Sequence, residues 1–179
     1  MVRQINSFAS CKQFIAADLA RVDASVIRNL AKNPQNRWLV QLRLTEWWCN
    51  TRGGVLGALL RWFLQARSVR LGFTIPINRL GAGVRLPHYG TIVINGEAIV
   101  GADCQILPDV VLGSNDRGVP SIGDSVFVGP GVKVIGAVHV GDGAVLLPGA
   151  VVTEDVPAGE RWGGVPAARV GNSCPHDPS

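Results

Sequence analysis

The sequence predicts a mainly β protein, in which a solenoid of short strands follows an N-terminal helical region. Three observations support this: an aliphatic residue recurs every six positions in the second half, glycine is abundant at 22 of 179 residues, and aromatic residues are scarce at 6%. Tight turns favour glycine, and a narrow interior favours aliphatic side chains. We expect a helical region over 1–72, the solenoid over 73–157 and a C-terminal segment over 158–179.

The six-residue repeat defines the solenoid. Its aliphatic positions, with one slip of four residues, are Ile94, Val100, Ile106, Leu112, Ile122, Val128, Val134, Val140, Leu146 and Val152. Nine of these are followed, four positions later, by a small or apolar residue. A period of six drifts around a 3.6-residue helical turn, and the prolines inside the repeat would break a helix. Three-sided coils of 18 residues, with the aliphatic side chains inside, fit the repeat.

The slip interrupts the repeat at residues 113–121, which include the polar, turn-rich sequence SNDRGVPS. We predict a loop that leaves the stack here, because such residues favour turns over strands. Loops on rigid scaffolds often hold functional residues.

The front of the chain is predicted to be helical. Its helices are expected over residues 7–22, 24–33, 37–49 and 55–70. A solenoid needs its open end covered, and these helices would cover it. Five aromatic side chains are predicted as core between the helices, with a groove for a lipid-linked or membrane-bound substrate as the alternative: Trp38, Trp47, Trp48, Trp62 and Phe63.

Charge is distributed unevenly along the chain. Residues 1–72 hold 11 Lys and Arg against 3 Asp and Glu, whereas residues 73–157 hold 4 against 8. A solvated helical face explains the basic front most simply. No nucleic-acid motif is present, so nucleic acid is not expected as a partner. Membrane association stays open as an alternative.

The location is predicted to be cytoplasmic. No run of 18 apolar residues could span a membrane, and the N-terminus lacks the apolar stretch of a signal peptide. The four cysteines are scattered without a CxxC pair, which favours reduced thiols over disulfides or a zinc site. Cys104, at a small inward position, is expected to be inert packing.

The histidines are the candidates for catalysis. His176 lies in the C-terminal tail, and His139 is expected at an outward, solvated corner. Counting back six from Ile94 puts His88 in the inward series or at its margin. A histidine there is either a satisfied core residue or a site residue.

The pattern aliphatic-Gly-x-x-small-x resembles the hexapeptide-repeat acyltransferases, whose fold is a left-handed parallel β-helix. The resemblance covers roughly residues 71–170, from LGFTIPINRLGAGVRLPHYGTIVING to GGVPAARV. It is similar to serine acetyltransferases and, more closely still, to the serine-acetyltransferase-like group of surface-polysaccharide O-acetyltransferases. It implies about five coils, a homotrimer, acetyl-CoA as acyl donor and no metal.

The resemblance also implies a mechanism. The segment LPHYGTIVING is similar to the one that holds the family's catalytic histidine, so His88 is expected to be the general base. Neutral imidazole would take the acceptor's hydroxyl proton and then protonate the leaving thiolate, with no covalent enzyme intermediate.

Further site residues are carried over by position. The expected cofactor-binding residues are Gly113, Ser114, Pro130, Gly131, Lys133, Pro148, Gly149, Arg161, Gly164, Val165, Pro166 and Arg169. The expected acceptor-binding residues are Tyr89, Asn95, Asp109 and Asp116. Asp109, Asp116 or a backbone carbonyl could orient His88.

Three positions depart from the serine acetyltransferase pattern. Pro87 stands where an aspartate precedes the catalytic histidine, Phe73 where an aspartate orients it, and Val119 where a second histidine occurs. We therefore expect an acceptor hydroxyl on a sugar or polysaccharide precursor. The alternatives are a serine O-acetyltransferase of cysteine biosynthesis and a catalytically inactive β-helix scaffold.

Overall fold

The computed structural model describes residues 4–20 and 33–172. Its described helices are α1 (Phe8–Leu19), α2 (Pro34–Thr51) and α3 (Gly54–Leu71). The helix predicted over 24–33 falls almost wholly outside the described residues. The side chain of Ser7 accepts the Ser10 amide and so caps α1. Gly72, in the left-handed conformation, ends α3.

Thirteen short strands follow the helices. They are β1 (Phe73–Thr74), β2 (Ile92–Ile94), β3 (Ile99–Val100), β4 (Gln105–Ile106), β5 (Val110–Gly113), β6 (Ser121–Ile122), β7 (Phe127–Val128), β8 (Lys133–Ile135), β9 (His139–Val140), β10 (Val145–Leu146), β11 (Val151–Val152), β12 (Glu160–Gly163) and β13 (Ala168–Asn172). The first sheet has the order β1-β2-β5-β8-β11, the second β13-β12-β10-β7-β4 and the third β3-β6-β9. Successive coils pair in parallel, so the body is a parallel β-helix of about five coils, as predicted.

The interior of the coils is the one that the repeat predicts. All ten aliphatic positions from Ile94 to Val152 are buried, and so are the small or apolar positions four residues after nine of them. The turns between coils approach closely. A Cβ on Gly101 would collide with the Gly123 carbonyl of the next coil. Glycine is therefore required where consecutive turns stack.

A buried charge cluster joins the helices to the first coil. Arg43 on α2 donates to Asp18 of α1 (2.8 Å) and to Glu46 (3.1 Å). It also donates to the carbonyl oxygens of Leu80 and Gly81, which open the β-helix. Burial raises the pKa of Asp18 and Glu46, and the Arg43 charge opposes that rise. All three side chains are essentially inaccessible to solvent, so each depends on the others.

The outer side of α3 differs from the prediction. Trp38 is buried as expected, and Trp47 and Trp48 are half-buried. Trp62 and Phe63 are instead 64% and 56% exposed, so their assignment to the core is wrong. The helix buries only one stripe, formed by Gly57, Leu64, Ser68 and Leu71. The other apolar residues of α3 stay exposed, because the first coil and α2 cover only the side of α3 that carries this stripe.

The last described segment closes the far end of the stack. Val156 forms a parallel bridge with Val140 of β9, and the Ala167 amide donates to the Val151 carbonyl of β11 (2.8 Å). On the second sheet, β12 pairs in parallel with β10, and β13 reverses direction to pair antiparallel with β12. The closing segment therefore meets the final strand of each sheet.

Candidate active site

His88 lies on an exposed bend rather than in the interior. Leu86 occupies the inward position, and its neighbour Arg85 forms a parallel bridge with Gln105 of the next coil. Ile94 follows Leu86 by eight positions, two more than the six of the repeat. The count of six that placed His88 in the inward series is therefore wrong, because this corner contains a two-residue extension. The extension displaces the histidine outwards, where a substrate can reach it.

Three contacts hold this bend. The Gln35 side-chain amide at the start of α2 donates to the Pro87 carbonyl (3.0 Å). The Gly90 amide donates to the Leu71 carbonyl at the end of α3 (3.0 Å). Gly90 has a φ of 148°, and a Cβ there would lie 2.9 Å from the Pro108 ring. The bend is thus tied to two helices and stacks against the corresponding turn of the next coil.

A column of turns runs from the His88 bend along one corner of the β-helix. It consists of Pro108-Asp109, Pro130-Gly131 and Pro148-Gly149. The Gly131 amide donates to the Pro108 carbonyl (3.0 Å), and the Gly149 amide to the Pro130 carbonyl (2.9 Å). At the usual strand spacing, three steps place Pro148 about 14 Å from the bend. Two of the four predicted cofactor-binding turns, Pro130-Gly131 and Pro148-Gly149, therefore form a line with His88.

The second group of predicted residues lies at the opposite edge of the first sheet. The Asn95 side-chain amide donates to the Ser114 hydroxyl (3.2 Å), next to Gly113. The loop predicted here leaves the stack between β5 and β6, and its Asn115 amide donates to the Gly118 carbonyl (3.0 Å). Asp116 is exposed at the tip of this loop.

The outer face of the first sheet connects these two edges. Val93, Val111, Lys133 and Val151 follow one another in register across it. The Lys133 ammonium lies 3.4 Å from the Gly131 carbonyl, so it turns towards the column that begins at His88. The face thus offers aliphatic surface with a single positive charge.

The residues predicted from the closing segment lie next to the last turn of the column, Pro148-Gly149. The Gly164 carbonyl accepts the Val151 amide (3.0 Å), and Val165 and Pro166 are exposed beyond it. Arg169 forms an ion pair with Glu160 (3.2 Å), which partly neutralises it. Arg161 is half-buried on β12.

The structure offers no carboxylate in the expected place beside His88. Phe73 is buried, and its ring packs edge-on against Trp38 with centroids 5.1 Å apart. Within residues 4–20 and 33–172, no side chain or carbonyl, including those of Asp109 and Asp116, is hydrogen-bonded to the His88 imidazole. Sequence reasoning missed Gln35, which positions the bend from a distant helix and belongs to no motif.

Away from the column of turns, a cleft of about 760 Å³ lies between α1 and the third sheet. It contains His139, whose Nδ1 lies 3.0 Å from the Ser121 hydroxyl. None of the predicted catalytic, acceptor-binding or cofactor-binding residues lines this cleft. Nor does the described part of the chain place three or more His, Cys, Asp or Glu side chains so that they could hold a metal ion.

Cys104 is expected to resist alkylation in the native protein. It is buried, donates to the Gly123 carbonyl (3.1 Å), and has its pKa raised to about 12 by burial. At pH 8 only about one Cys104 side chain in 10,000 is then a thiolate. Iodoacetamide should modify Cys104 only after unfolding, as measured by peptide mass spectrometry, with half-buried Cys49 as internal comparison. Native labelling of Cys104 at the unfolded rate would contradict the inert assignment.

Comparison with known proteins identifies the family. The family model described as bacterial transferase hexapeptide (six repeats) matches residues 120–154. Serine acetyltransferase of Salmonella typhimurium is 37% identical over 125 residues, which are 65% of this chain and 45% of that protein. Serine acetyltransferase 4 of Arabidopsis thaliana is 35% identical over 127 residues, 68% of this chain and 36% of that protein.

The solved structures extend the likeness over nearly the whole chain. Serine acetyltransferase from Vibrio cholerae has a TM-score of 0.75 and 30% identity, covering 93% of this chain and 67% of that one. The chain belongs to the hexapeptide-repeat acyltransferases of the serine acetyltransferase type. A serine complex of the Neisseria gonorrhoeae enzyme (TM-score 0.73, 28% identity, 92% and 70% covered) and a coenzyme A complex from Brucella abortus (0.71, 27%, 92% and 67%) share its fold.

This serine acetyltransferase-type chain matches only part of each relative. It spans less than half the length of the two curated relatives described above. The expectation of a sugar or polysaccharide acceptor is wrong, because these relatives and neighbouring structures are serine acetyltransferases. That expectation depended on side chains missing at three positions, and a missing contact does not specify a different acceptor.

Proposed function

We propose that this chain is an acetyl-CoA-dependent serine O-acetyltransferase. The observation that supports this most directly is the exposed His88 at the head of the column of turns, where a base and a thioester can meet. Likeness to the Neisseria gonorrhoeae enzyme in complex with serine supports the acceptor, and likeness to the Brucella abortus coenzyme A complex supports the donor. Serine O-acetyl transfer, an alternative in the sequence analysis, thus becomes the main proposal.

The chemistry needs one base and no covalent intermediate. The neutral His88 imidazole takes the proton of the serine hydroxyl while the serine oxygen attacks the acetyl carbonyl carbon. The tetrahedral intermediate collapses, the carbon–sulfur bond breaks, and the thiolate of CoA takes the proton from the imidazolium. The products are O-acetylserine and CoA. Within one chain the loop at 113–121 lies at the opposite edge of the first sheet from His88, so the candidates to stabilise the oxyanion are backbone amides near this loop in a neighbouring subunit.

The acceptor side of the site needs charge complementarity to an amino acid. Serine carries an ammonium, and Asp109 is an exposed carboxylate in the turn stacked against the His88 bend. We assign Asp109 to that ammonium, with Tyr89, Asn95 and Asp116 at the edges of the acceptor site. This arrangement supplies a carboxylate from the next coil, where Phe73 and Pro87 supply none.

The donor side follows the column. The turns at Pro130-Gly131 and Pro148-Gly149 and the closing Gly164–Pro166 would line the pantetheine arm. Gly113 and Ser114 would approach the thioester from a neighbouring subunit, because in one chain they lie at the opposite edge of the first sheet from His88. Glycine at these turns permits close approach to the backbone. Lys133 and Arg161 supply positive charge for the CoA phosphates, and Arg169 shares its charge with Glu160.

A donor and acceptor assay tests the proposal. The chain is incubated with acetyl-CoA and L-serine, free CoA is measured with a thiol reagent, and O-acetylserine is identified by mass spectrometry. L-alanine, which lacks only the hydroxyl, is the matched control acceptor. CoA release should require serine and be absent with alanine. Absence of serine-dependent release from a folded sample would overturn the proposal.

The site is also proposed to need neighbouring subunits. In the single chain, Val93, Val111 and Val151 are half-buried on the outer face of the first sheet, and a neighbour would cover them. Light scattering should then give about 57 kDa, three times the 19.0 kDa chain. A mass of about 19 kDa at catalytic concentrations would contradict the homotrimer.

Gln35 is expected to act as a positioning residue. Gln35→Met keeps the side-chain volume but removes the donor to the Pro87 carbonyl, so the His88 bend loses one of its anchors. We expect kcat to fall about 5- to 10-fold, consistent with losing one hydrogen bond, while KM for acetyl-CoA and the thermal midpoint change little. Steady-state kinetics with a melting curve checks this, and Arg37→Ala on the exposed side of α2 is the control. An equal fall in kcat in Gln35→Met and Arg37→Ala would contradict the positioning role of Gln35.

A further inference from the structure

The outward face of α3 is apolar. The side opposite the buried stripe presents Val55, Leu59, Trp62 and Val69, with Leu56 and Phe63 beside them. At about 100° per residue, Leu59 and Ala66 lie roughly 180° from the buried Gly57 and Leu64. Val55 is 80% exposed, and Trp62 and Phe63 stack edge-on with centroids 4.9 Å apart. Contiguous exposed apolar surface of this kind usually marks a contact with a protein or a membrane.

Arginines border this face on both sides. Arg61 lies between the buried stripe and the apolar face on one flank, and Arg67 lies on the other, with Arg70 near the C-terminal end. Arg67 donates to Gln41 (2.8 Å), which fixes its position beside the face. The sequence has no Asp or Glu between Glu46 and Glu97. None of the ion pairs among residues 4–20 and 33–172 involves Arg61, Arg67 or Arg70, so these three arginines give α3 a positive charge.

From this combination we infer that the outer face of α3, defined as Val55, Leu56, Leu59, Trp62, Phe63 and Val69, lies on an anionic lipid surface. Apolar and aromatic side chains would enter the region between headgroups and acyl chains, and the flanking arginines would meet lipid phosphates. An identical face of a second copy would carry the same positive charge, whereas an anionic lipid surface complements it, so charge favours the lipid. No described helix is long and apolar enough to cross a membrane.

The proposed contact is next to the candidate active site. The Leu71 carbonyl at the end of α3 accepts the amide of Gly90, two residues after His88. A chain docked through α3 would hold the His88 bend close to the lipid headgroups. The inference does not depend on the acceptor, because it concerns a surface that the proposed reaction does not use.

Vesicle co-sedimentation tests the inference on the full chain. The probes are vesicles of phosphatidylcholine with phosphatidylglycerol, compared with phosphatidylcholine alone. We expect the partition coefficient to be at least about 10-fold higher on the anionic vesicles and to fall with added salt. The double variant Trp62→Ser/Phe63→Ser should lose at least about 10-fold, and Arg61→Gln/Arg70→Gln should lose the preference for anionic lipid.

The control is Val170→Ser, which removes an exposed apolar side chain from β13. It should bind vesicles like the parent chain, and melting curves should confirm that all variants fold. Absence of binding to anionic vesicles, equal binding to both kinds, or unchanged binding of the Trp62/Phe63 variant would each overturn the inference. A smaller oligomer in that variant, with no vesicle binding by the parent, would assign the face to a second copy instead. CoA release with serine is measured separately, so a failure of the lipid inference can be distinguished from a failure of the proposed acetyl transfer.

Discussion

Replacing His88 by alanine is expected to lower kcat for acetyl transfer to serine by about 100- to 10,000-fold, the usual worth of a general base. The side chain is exposed on a bend that the described chain anchors through backbone atoms, so its removal should leave the fold intact. Free CoA is the readout. KM for acetyl-CoA should change little, because the imidazole acts on the acceptor proton and not on the nucleotide.

The matched control for this experiment is His139→Ala. His139 is also exposed on the β-helix, but it lies in the cleft beside α1, away from the column of turns. It should retain activity within about twofold. Full activity in His88→Ala would refute the assignment of the base, and comparable losses in both variants would point to a general effect on folding.

The largest effect on stability is expected for Arg43→Met. The substitution leaves Asp18 and Glu46 buried without their cation and leaves the carbonyls of Leu80 and Gly81 without a donor. Breaking a buried ion pair from one side typically costs about 3–5 kcal/mol, a large part of the roughly 5–15 kcal/mol that stabilises a domain. Urea denaturation at fixed protein concentration measures the change. Arg37→Ala, on the exposed side of the same helix, should shift the midpoint little.

The same variant should show a characteristic pH dependence. Burial raises the pKa of Asp18 and Glu46, and without Arg43 this rise is less opposed. A carboxyl whose pKa is raised on folding binds more protons in the native state than in the unfolded one. The free energy of unfolding then falls as pH rises above the ordinary carboxyl pKa. The variant's deficit should therefore be smaller at pH 5 than at pH 7. A deficit that grows on acidification would show that another interaction dominates.

The interior of the β-helix was the most predictable part. A six-residue period fixes which side chains point inwards, and all ten aliphatic positions are buried. The same rule misplaced His88, because a two-residue extension between Leu86 and Ile94 resets the register. The step of eight positions can be read in the sequence, but it is recognised as an extension only once Leu86 is known to point inwards.

Other parts of the site depend on tertiary packing that the sequence does not encode locally. Gln35 reaches the Pro87 carbonyl from 52 residues away in sequence, so no spacing argument connects them. Trp62 and Phe63 look like core residues in composition, but the coil and α2 cover only the opposite side of α3. The acceptor was misassigned because the sequence departs from the serine acetyltransferase pattern at three positions, and such departures do not by themselves specify another acceptor.

The reversal of β13 has a consequence for assembly. A stack of parallel coils would otherwise end in unpaired strand edges able to template the addition of another chain. Here the closing segment contacts β9 and β11, and β12 covers β10 and is itself covered by an antiparallel strand. Such a terminus interrupts the parallel pattern and discourages end-to-end fibre growth of these prisms.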